Sequence, residues 1–570
     1  MPEHTHQTRT EVKLPTLTLE NPQLWSCESP QLYSAEVVVT ADGMVVDSLT
    51  EQFGVRSLEF SPEFGFKLNG KKMFLQGNAN HHDLGALGAA CYDRAIERMM
   101  LQLKSFGYNC IRCSHNPYSD SFARIADRVG ILVVDELTDK WSNNDYWGGR
   151  QPFTHIWHKL ITEWIKRDRN RPSIILWSLG NELQIREGWA GFEGTNDWGI
   201  TTYNIFNQLV KRWDHTRLTT VAMFPARAGA ITRHDKEFND YLVPPELACA
   251  TEVASFNYQS DKYDVYLKYR PDLILFQSEA ETSNLLQPYY NMDRKRTVGM
   301  AYWGSVEYWG ESNKWPKKGW NYSFFGHTMR PYPQAYLIKS AFMPEIPEVH
   351  IGVVDAAGAE SVSWNDVVVG RMALNECWNH TPGSRQSLFA FTNAHSVELL
   401  VNGQSMGVQE NDTTQANRRN MIYWKDVPYG NGGSVVAIAR DKSGKEVARH
   451  HIETAGKAVA LRIEAETPAD WKADGMDLQY INVTAIDKKG RPVWDYNEPL
   501  TLQMEGVARL VALDNGDHYT DELFHGITSK RMYQGRMQII LRSDQKAGNV
   551  MVKVFSAGLK GTLRLKTINE

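Results

Sequence analysis

Between residues 66 and 345 the hydrophobic pattern switches repeatedly between two periods, and no other feature of the chain limits its fold so sharply. Short apolar runs of the strand type recur at Lys72–Gln76, Tyr108–Arg112, Ile131–Val134, Ile174–Leu179, Leu218–Ala222, Val253–Asn257, Leu273–Gln277 and Val298–Trp303. Between them apolar residues return at helical spacing. Ile96, Met99, Met100 and Leu103 follow a capping Asp93, and Phe122, Ile125, Ala126 and Val129 precede a terminating Gly130. Trp157, Leu160, Ile161, Trp164 and Ile165 form a third stripe, and Ile205, Phe206, Leu209, Val210 and Trp213 a fourth. Eight strands alternating with helices over about 280 residues match the count and length of a (β/α)8 barrel. A doubly wound sheet would carry a glycine-rich phosphate loop after its first strand, and the sequence has none there.

Beyond residue 346 helical periodicity vanishes. Alternating segments such as Ser396–Val401, Ser434–Arg440 and Tyr480–Ile486 are separated by turns such as Asn402-Gly403 and Lys489-Gly490. Two antiparallel sandwiches joined near Ala455–Ala458 are expected, while the β-rich first 60 residues are too few for a complete one. The expected fold class is therefore multidomain, a (β/α)8 TIM barrel flanked by immunoglobulin-like β-sandwich domains. The expected divisions are a partial sandwich over 1–60, the barrel over 61–345, an accessory sandwich over 346–456 and a C-terminal sandwich over 457–570. An open sheet edge in the first segment would favour association into a homo-oligomer.

Composition excludes several classes. A net charge of −5 gives no basic footprint for nucleic acid, and no apolar run approaches the length of a membrane span. The polar opening MPEHTHQTRT has no apolar signal region, which suits a cytoplasmic protein, or a periplasmic or secreted one whose native signal was removed. Cys110 and Cys113 have redox or zinc spacing, but no second pair follows, so reduced thiols on a buried strand are expected. No cofactor motif or metal cluster stands out. The 18 Trp and 24 Tyr suit a protein that stacks on sugar rings, though large cores also use them.

Active sites of (β/α)8 barrels lie at the C-terminal strand ends, which directs the search for chemistry. The fourth strand runs into Gly180-Asn181-Glu182 and the seventh into Ser278-Glu279. Those ends face each other across the barrel mouth. Retaining glycosidases need two carboxyl groups about 5–5.5 Å apart, one protonated to assist the leaving oxygen and one ionised to attack. One strand-end glutamate is as readily a structural ion-pair partner; two at these ends, one preceded by Asn, point to catalysis.

These residues sit in motifs that resemble glycoside hydrolase family 2, which includes β-galactosidases, β-glucuronidases and β-mannosidases. SLGNE resembles the acid/base motif; NCIRCSHNP, GILVVDE and AYWGSVEYWGE resemble the second, third and eighth strands; FTNAHSVELLVNGQSMG and LDNGD resemble the accessory sandwiches. The resemblance implies a retaining exo-β-glycosidase acting on an oligosaccharide or polysaccharide, with Glu182 as acid/base and Glu279 as nucleophile. It implies that Asn181 binds the sugar 2-hydroxyl and that Arg112 and His115 line the base of the subsite, Arg112 lowering the pKa of Glu279. His81 and His82 are implied at sugar hydroxyls, Tyr258 as a hydrogen-bond donor to Glu279, and Trp303 as the floor. Glu307 stands where relatives more often carry Asp and is implied as a wall or hydroxyl contact. The opening residues resemble only the second half of the sandwich that precedes the barrel in family members, and Asn78 replaces a small apolar residue.

The sugar is expected to be galactose. Family β-glucuronidases hold the carboxylate with Asn-x-Lys after the eighth strand. Here Lys318 is retained, but Pro316 replaces the asparagine and has no side-chain donor. A β-glucuronidase using Lys318 as a point charge is the alternative, and a non-catalytic carbohydrate-binding fragment is the alternative of another class. Trp309, Trp315 and Trp320 are expected at the mouth, where they would hold a further sugar.

Overall fold

The computed structural model describes residues 16–141, 153–183, 199–224, 244–312, 315–355, 360–364 and 367–569. Its early strands are β1 (Tyr33–Ala41), β2 (Met44–Phe53), β3 (Leu58–Ser61), β4 (Gly65–Leu68) and β5 (Lys71–Met73). The barrel strands are β6 (Leu75–Asn80), β7 (Cys110–Cys113), β8 (Leu132–Glu136), β9 (Ile174–Asn181), β10 (Leu218–Met223), β11 (Val253–Asn257), β12 (Leu275–Ala280) and β13 (Gly299–Trp303). All pair in parallel and close on themselves, β13 returning to β6. Among the described residues eight helices alternate with them: α1 (Asp93–Ser105), α2 (Asp120–Val129), α3 (Phe153–Asp168), α4 (Ile200–Trp213), α5 (Glu246–Ala250), α6 (Tyr263–Tyr269), α7 (Gln287–Asn291) and α8 (Pro333–Phe342).

The apolar runs form this layer because both faces of each strand are covered. Every residue of β7, β8, β9, β11, β12 and β13 is buried. Cys110 and Cys113 lie on β7 with their thiols pushed up by burial, so they are held as neutral, inert groups. The first barrel strand lies later than expected. Lys71–Met73 belongs to a small antiparallel sheet with β3 and β4, and the barrel begins at Leu75. That strand reads Leu-Gln-Gly-Asn-Ala-Asn, without a β-branched residue, so propensity does not reveal it. Asp93 is the first residue of α1 rather than its cap, and Tyr92 in the cap position makes no side-chain bond. Ser119 caps α2 by accepting from the Phe122 amide, and Gly130 ends that helix at φ 76°.

The segment before the barrel docks at its N-terminal end. The Trp25 indole is fully buried and donates to the Asp127 carbonyl, and Arg56 donates to the carbonyls of Pro172 and Ile174 at the foot of β9. From this anchor β1 and β2 project as a two-stranded antiparallel ribbon with Val38, Val39, Val45, Val46 and Leu49 exposed. Two stacks of four-stranded sheets follow the barrel. In the first, Leu374–Asn375, Val349–Val354, Arg385–Thr392 and Met421–Pro428 face Gln404–Glu410, Ser396–Val401, Ser434–Arg440 and Glu446–Glu453 over a shared core. In the second, Ala460–Ala465, Leu478–Ile486, Arg536–Ser543 and Ala508–Asp514 face Ser529–Arg531, Pro499–Gly506, Gly548–Ser556 and Leu559–Thr567. Arg94 and Arg98 of α1 reach Asp477, Asp470 and Glu466 of this second stack and fix it to the barrel. Among the described residues no helix is long and apolar enough to cross a membrane.

An exposed apolar ribbon with open strand edges offers a surface on which another chain can pair. Val45→Lys combined with Leu49→Lys is expected to lower binding of a hydrophobic dye and to shift any concentration-dependent species in analytical ultracentrifugation toward the smaller form. The ribbon sits at the end of the barrel away from the strand C-termini, so the thermal midpoint of the barrel should stay unchanged.

Candidate active site

β9 carries Asn181 as its last residue, and Glu182 then leaves the strand at φ 50°, its amide donating to the Ala222 carbonyl at 2.6 Å. β11 ends at Asn257, and Tyr258 follows at φ 59°, its amide donating to the Glu279 carbonyl at 2.8 Å. Left-handed backbone at a non-glycine residue costs about 1–3 kcal/mol and persists only where surrounding bonds impose it. Here both turns aim polar side chains into the mouth. The Asn257 amide group donates to both Asn181 Oδ1, at 3.0 Å, and Glu182 Oε1, at 3.1 Å. The Tyr258 hydroxyl donates to Glu279 Oε2 at 2.6 Å, and Arg112 Nη1 donates to Glu279 Oε1 at 2.7 Å. Both oxygens of Glu279 are therefore held, and both glutamates are buried.

Arg112 lies at the centre. Its Nη2 donates to Glu136 Oε2 at 2.7 Å and to Asn181 Oδ1 at 3.0 Å. Glu136 also accepts from Ser178 and lies 2.6 Å from His115 Nδ1. Burial drives His115 well below the ordinary histidine range, so it is neutral, with the Nδ1 proton directed at Glu136. Arg112 lowers the Glu279 pKa as expected, but the net shift is upward. Burial raises the Glu279 carboxyl above its ordinary value; Arg112 and Tyr258 pull it back without overcoming that rise, and Glu136 adds to it. The physical reason is that one guanidinium is divided between two buried carboxylates.

Trp303 ends β13, with the His115 ring stacked on it at 5.2 Å and 9° and the His81 ring edge-on at 5.0 Å. His81 Nδ1 lies 3.1 Å from the Ser114 carbonyl and its Nε2 3.7 Å from Glu311, which also accepts from the Tyr308 hydroxyl. Burial opposes charge on His81, yet Glu311 and the neighbouring acceptors together raise its pKa. Glu182, Glu279, Asn181, Arg112, His115, His81, Tyr258 and Trp303 thus form one connected group.

Three expected members stand elsewhere. His82 turns its ring onto Tyr118 and Phe122 of the α2 side, at 4.7 and 6.1 Å, because consecutive residues leaving a strand point to opposite faces. Glu307 is carried past the mouth by a turn at Gly304, where φ is 62° and a Cβ would meet the Trp320 indole at 2.5 Å. It is buried against Tyr332, His327 and His518. Lys318 lies beside the Trp315 ring, its amine without a hydrogen-bond partner among the described residues, and makes no contact with either catalytic candidate. Of the three tryptophans only Trp315 is well exposed; Trp320 stacks on Tyr308, and Trp309 packs on His327 and His518. Sequence reading missed Glu136, Asn257, Tyr308 and Glu311. Glu136 ends the third barrel strand, so the same strand-end search would have found it. Among the described residues two groups have metal-binding spacing, Glu307–His327–His518 and His350–Glu376–His450, and neither includes Glu182 or Glu279.

Comparison with known proteins gives a consistent picture. The model described as Glycosyl hydrolases family 2, TIM barrel domain, matches residues 63–295. Glycosyl hydrolases family 2 matches 2–56, Glycoside hydrolase family 2 C-terminal domain 5 matches 461–563, and a domain of unknown function matches 383–448. Beta-galactosidase BoGH2A of Bacteroides ovatus is 28% identical over 95% of this chain and 67% of its own length. A Formosa agariphila protein provisionally named a beta-glucuronidase is 40% identical over 99% of this chain. This chain spans only 55% of that relative. A solved glycosyl hydrolase family 2 structure from Bacteroides cellulosilyticus superposes with a TM-score of 0.83 at 28% identity, covering 96% of this chain and 69% of that one.

The hydrogen bond from Tyr258 favours the ionised form of Glu279, so its loss should raise the midpoint further. Titration of the Glu279 carboxyl by 13C NMR should move upward in Tyr258→Phe. A downward or absent shift would mean that Tyr258 does not support the charge.

Proposed function

The chain belongs to glycoside hydrolase family 2, and on that footing we propose that it is a retaining exo-β-glycosidase whose preferred substrate is a terminal β-galactosyl residue of an oligosaccharide. One observation carries the reading: Glu279 has both oxygens fixed, by Arg112 and Tyr258, while Glu182 across the mouth is steadied by the neutral Asn257 amide. The cation stands with the nucleophile.

In this mechanism Glu182 gives its proton to the glycosidic oxygen as Glu279 attacks the anomeric carbon from the opposite face. The C–O bond to the leaving group breaks, and a glycosyl ester on Glu279 forms. Glu182, now ionised, takes a proton from water, and that water displaces Glu279 to release the sugar with its original configuration. Asn181 Oδ1 is engaged by Arg112 and Asn257 and its Nδ2 donates to Asp139 Oδ1 at 3.1 Å, so the second N–H, 3.3 Å from His115 Nε2, is the one that would turn to the 2-hydroxyl. Trp303 offers its face beneath the ring, and His81 with Glu311 presents a polar wall.

Support for a neutral sugar comes from the same wall. Glu311 sets a carboxylate in that wall beside His81, which disfavours a second anion there, and Pro316 offers no side-chain donor to bind one. The uronide reading has its own support in the Lys318 amine, which has no hydrogen-bond partner among the described residues, and in the name of the Formosa relative.

Two outcomes are expected. Glu279→Ala should lose turnover and recover it with azide as the α-glycosyl azide, while Glu182→Ala should retain activity on substrates with good leaving groups and give the β-azide. Opposite stereochemistry in the two variants would invert the assignment, and wild-type protein with no turnover would leave a binding fragment. Among aryl β-glycosides, the galactoside should have the highest kcat/KM. A tenfold preference for the glucuronide, about 1.4 kcal/mol of transition-state discrimination, would refute the sugar while leaving the carboxylate pair intact.

A further inference from the structure

The loop after β13 and the loop after Ala508–Asp514 of the second C-terminal stack meet through ionisable groups. Glu307 and His327 come from the barrel side, Asp514 and His518 from the sandwich side, and they are 1%, 4%, 1% and 4% exposed. Glu307 Oε2 lies 3.1 Å from His327 Nδ1 and 2.9 Å from His518 Nε2. The three ligand-type atoms of Glu307, His327 and His518 all fall within 4.8 Å of one another.

His518 is the group that ordinary packing leaves unexplained. Neither of its ring nitrogens makes a hydrogen bond among the described residues, and its Nε2 approaches Glu307 outside hydrogen-bonding geometry despite the 2.9 Å separation. Buried imidazoles normally have their nitrogens engaged. Metal coordination at Nε2 accounts for that nitrogen and for its approach to Glu307, while Nδ1 keeps no hydrogen-bond partner among the described residues. A tetrahedral ion bonded at about 2.1 Å to two imidazole nitrogens and a carboxylate oxygen sets neighbouring ligand atoms about 3.4 Å apart. The two measured separations, 3.1 and 2.9 Å, are shorter by 0.3–0.5 Å, so binding requires the Glu307 carboxylate to draw back slightly from both imidazoles.

The surrounding bonds fit as well. His327 Nε2 is 2.9 Å from Asp514 Oδ1, so a proton is directed there, and Nδ1, hydrogen-bonded to Glu307 Oε2 at 3.1 Å, becomes the ligand atom once the ion displaces the proton shared with that carboxylate. Glu307 Oε1 accepts from the Tyr332 hydroxyl at 2.7 Å, which orients the carboxylate. Ligating histidines and carboxylates are characteristically held in this way. Glu307, Tyr332, Asp514 and His518 also line a cavity of about 620 Å³ between the barrel and the C-terminal stacks, which supplies an entry path and room for water ligands.

We propose that Glu307, His327 and His518 form a binding site for one divalent transition-metal ion, zinc by its donor set of two imidazoles and one carboxylate, that clamps the second sandwich to the barrel. The site is separate from the carboxylate pair and does not depend on the sugar reading. Trp309, whose ring lies 4.6 Å from His327 and 5.0 Å from His518, would be fixed by the same clamp.

The test uses the full chain, stripped with a chelator and titrated with zinc chloride, with bound metal measured after desalting and unfolding followed by calorimetry. Wild type should take up one more equivalent of zinc than His518→Ala, and zinc should raise its unfolding temperature by a few degrees. That rise should vanish in His518→Ala and persist in His450→Ala, which alters the other histidine cluster. Asp514→Asn keeps all three ligands and guards against a misfolded His518→Ala; it should weaken zinc binding about 10–100-fold. The proposal is overturned if wild type binds no zinc, or if uptake is the same in wild type, His518→Ala and Asp514→Asn.

Discussion

Deep in the barrel mouth one guanidinium stands between two carboxylates. Arg112 pairs with Glu136 at 2.7 Å and with Glu279 at 2.7 Å, and spends a further N–H on Asn181. All of these groups are buried, so none can exchange its partner for water. Removing one member of a buried pair costs about 3–5 kcal/mol, because the other charge is left uncompensated. Glu136 extends the constraint further. It accepts from Ser178 and receives His115 Nδ1, and the His115 ring in turn stacks on Trp303. The Trp303 ring, the Asn181 amide and the candidate nucleophile thus share one support.

That support exists only because the barrel closes. Arg112 comes from β7, Glu136 from β8, Asn181 from β9 and Glu279 from β12, and each is placed by the parallel register of its neighbours. The two left-handed residues depend on the same closure. Glu182 is tied to the end of β10 and Tyr258 to the end of β12 by backbone hydrogen bonds between adjacent strands. The strain of a few kcal/mol at these positions is what turns the two side chains inward.

Much of this architecture was legible in the sequence where burial alone determines structure. The apolar runs at Ile174–Leu179 and Val253–Asn257 pack on both faces and appear as strands β9 and β11. The glutamates could be found because strand ends in a barrel face one mouth. Other features depend on contacts that periodicity does not encode. The polar strand Leu75–Asn80 is held by the registers of β13 and β7 rather than by propensity. His81 and His82 are identical residue types, and only the direction of the backbone separates a site residue from one packed on α2. Glu307 read as part of the mouth because it follows the eighth strand, yet the turn at Gly304 delivers it to histidines that are up to 211 positions away in the chain, as His518 is. Long-range polar meetings of that kind leave no local signature.

The central claim is that Glu279, held by Arg112 and Tyr258, attacks the sugar and carries it as a covalent ester. A 2-deoxy-2-fluoro β-galactoside with a good leaving group slows breakdown of that ester more than its formation is slowed, so the intermediate should accumulate. After digestion, mass spectrometry should find the fluorosugar on the peptide containing Glu279, at Glu279 itself. Label on Glu182 or on Glu136, or steady turnover with inversion and no label at all, would contradict the account.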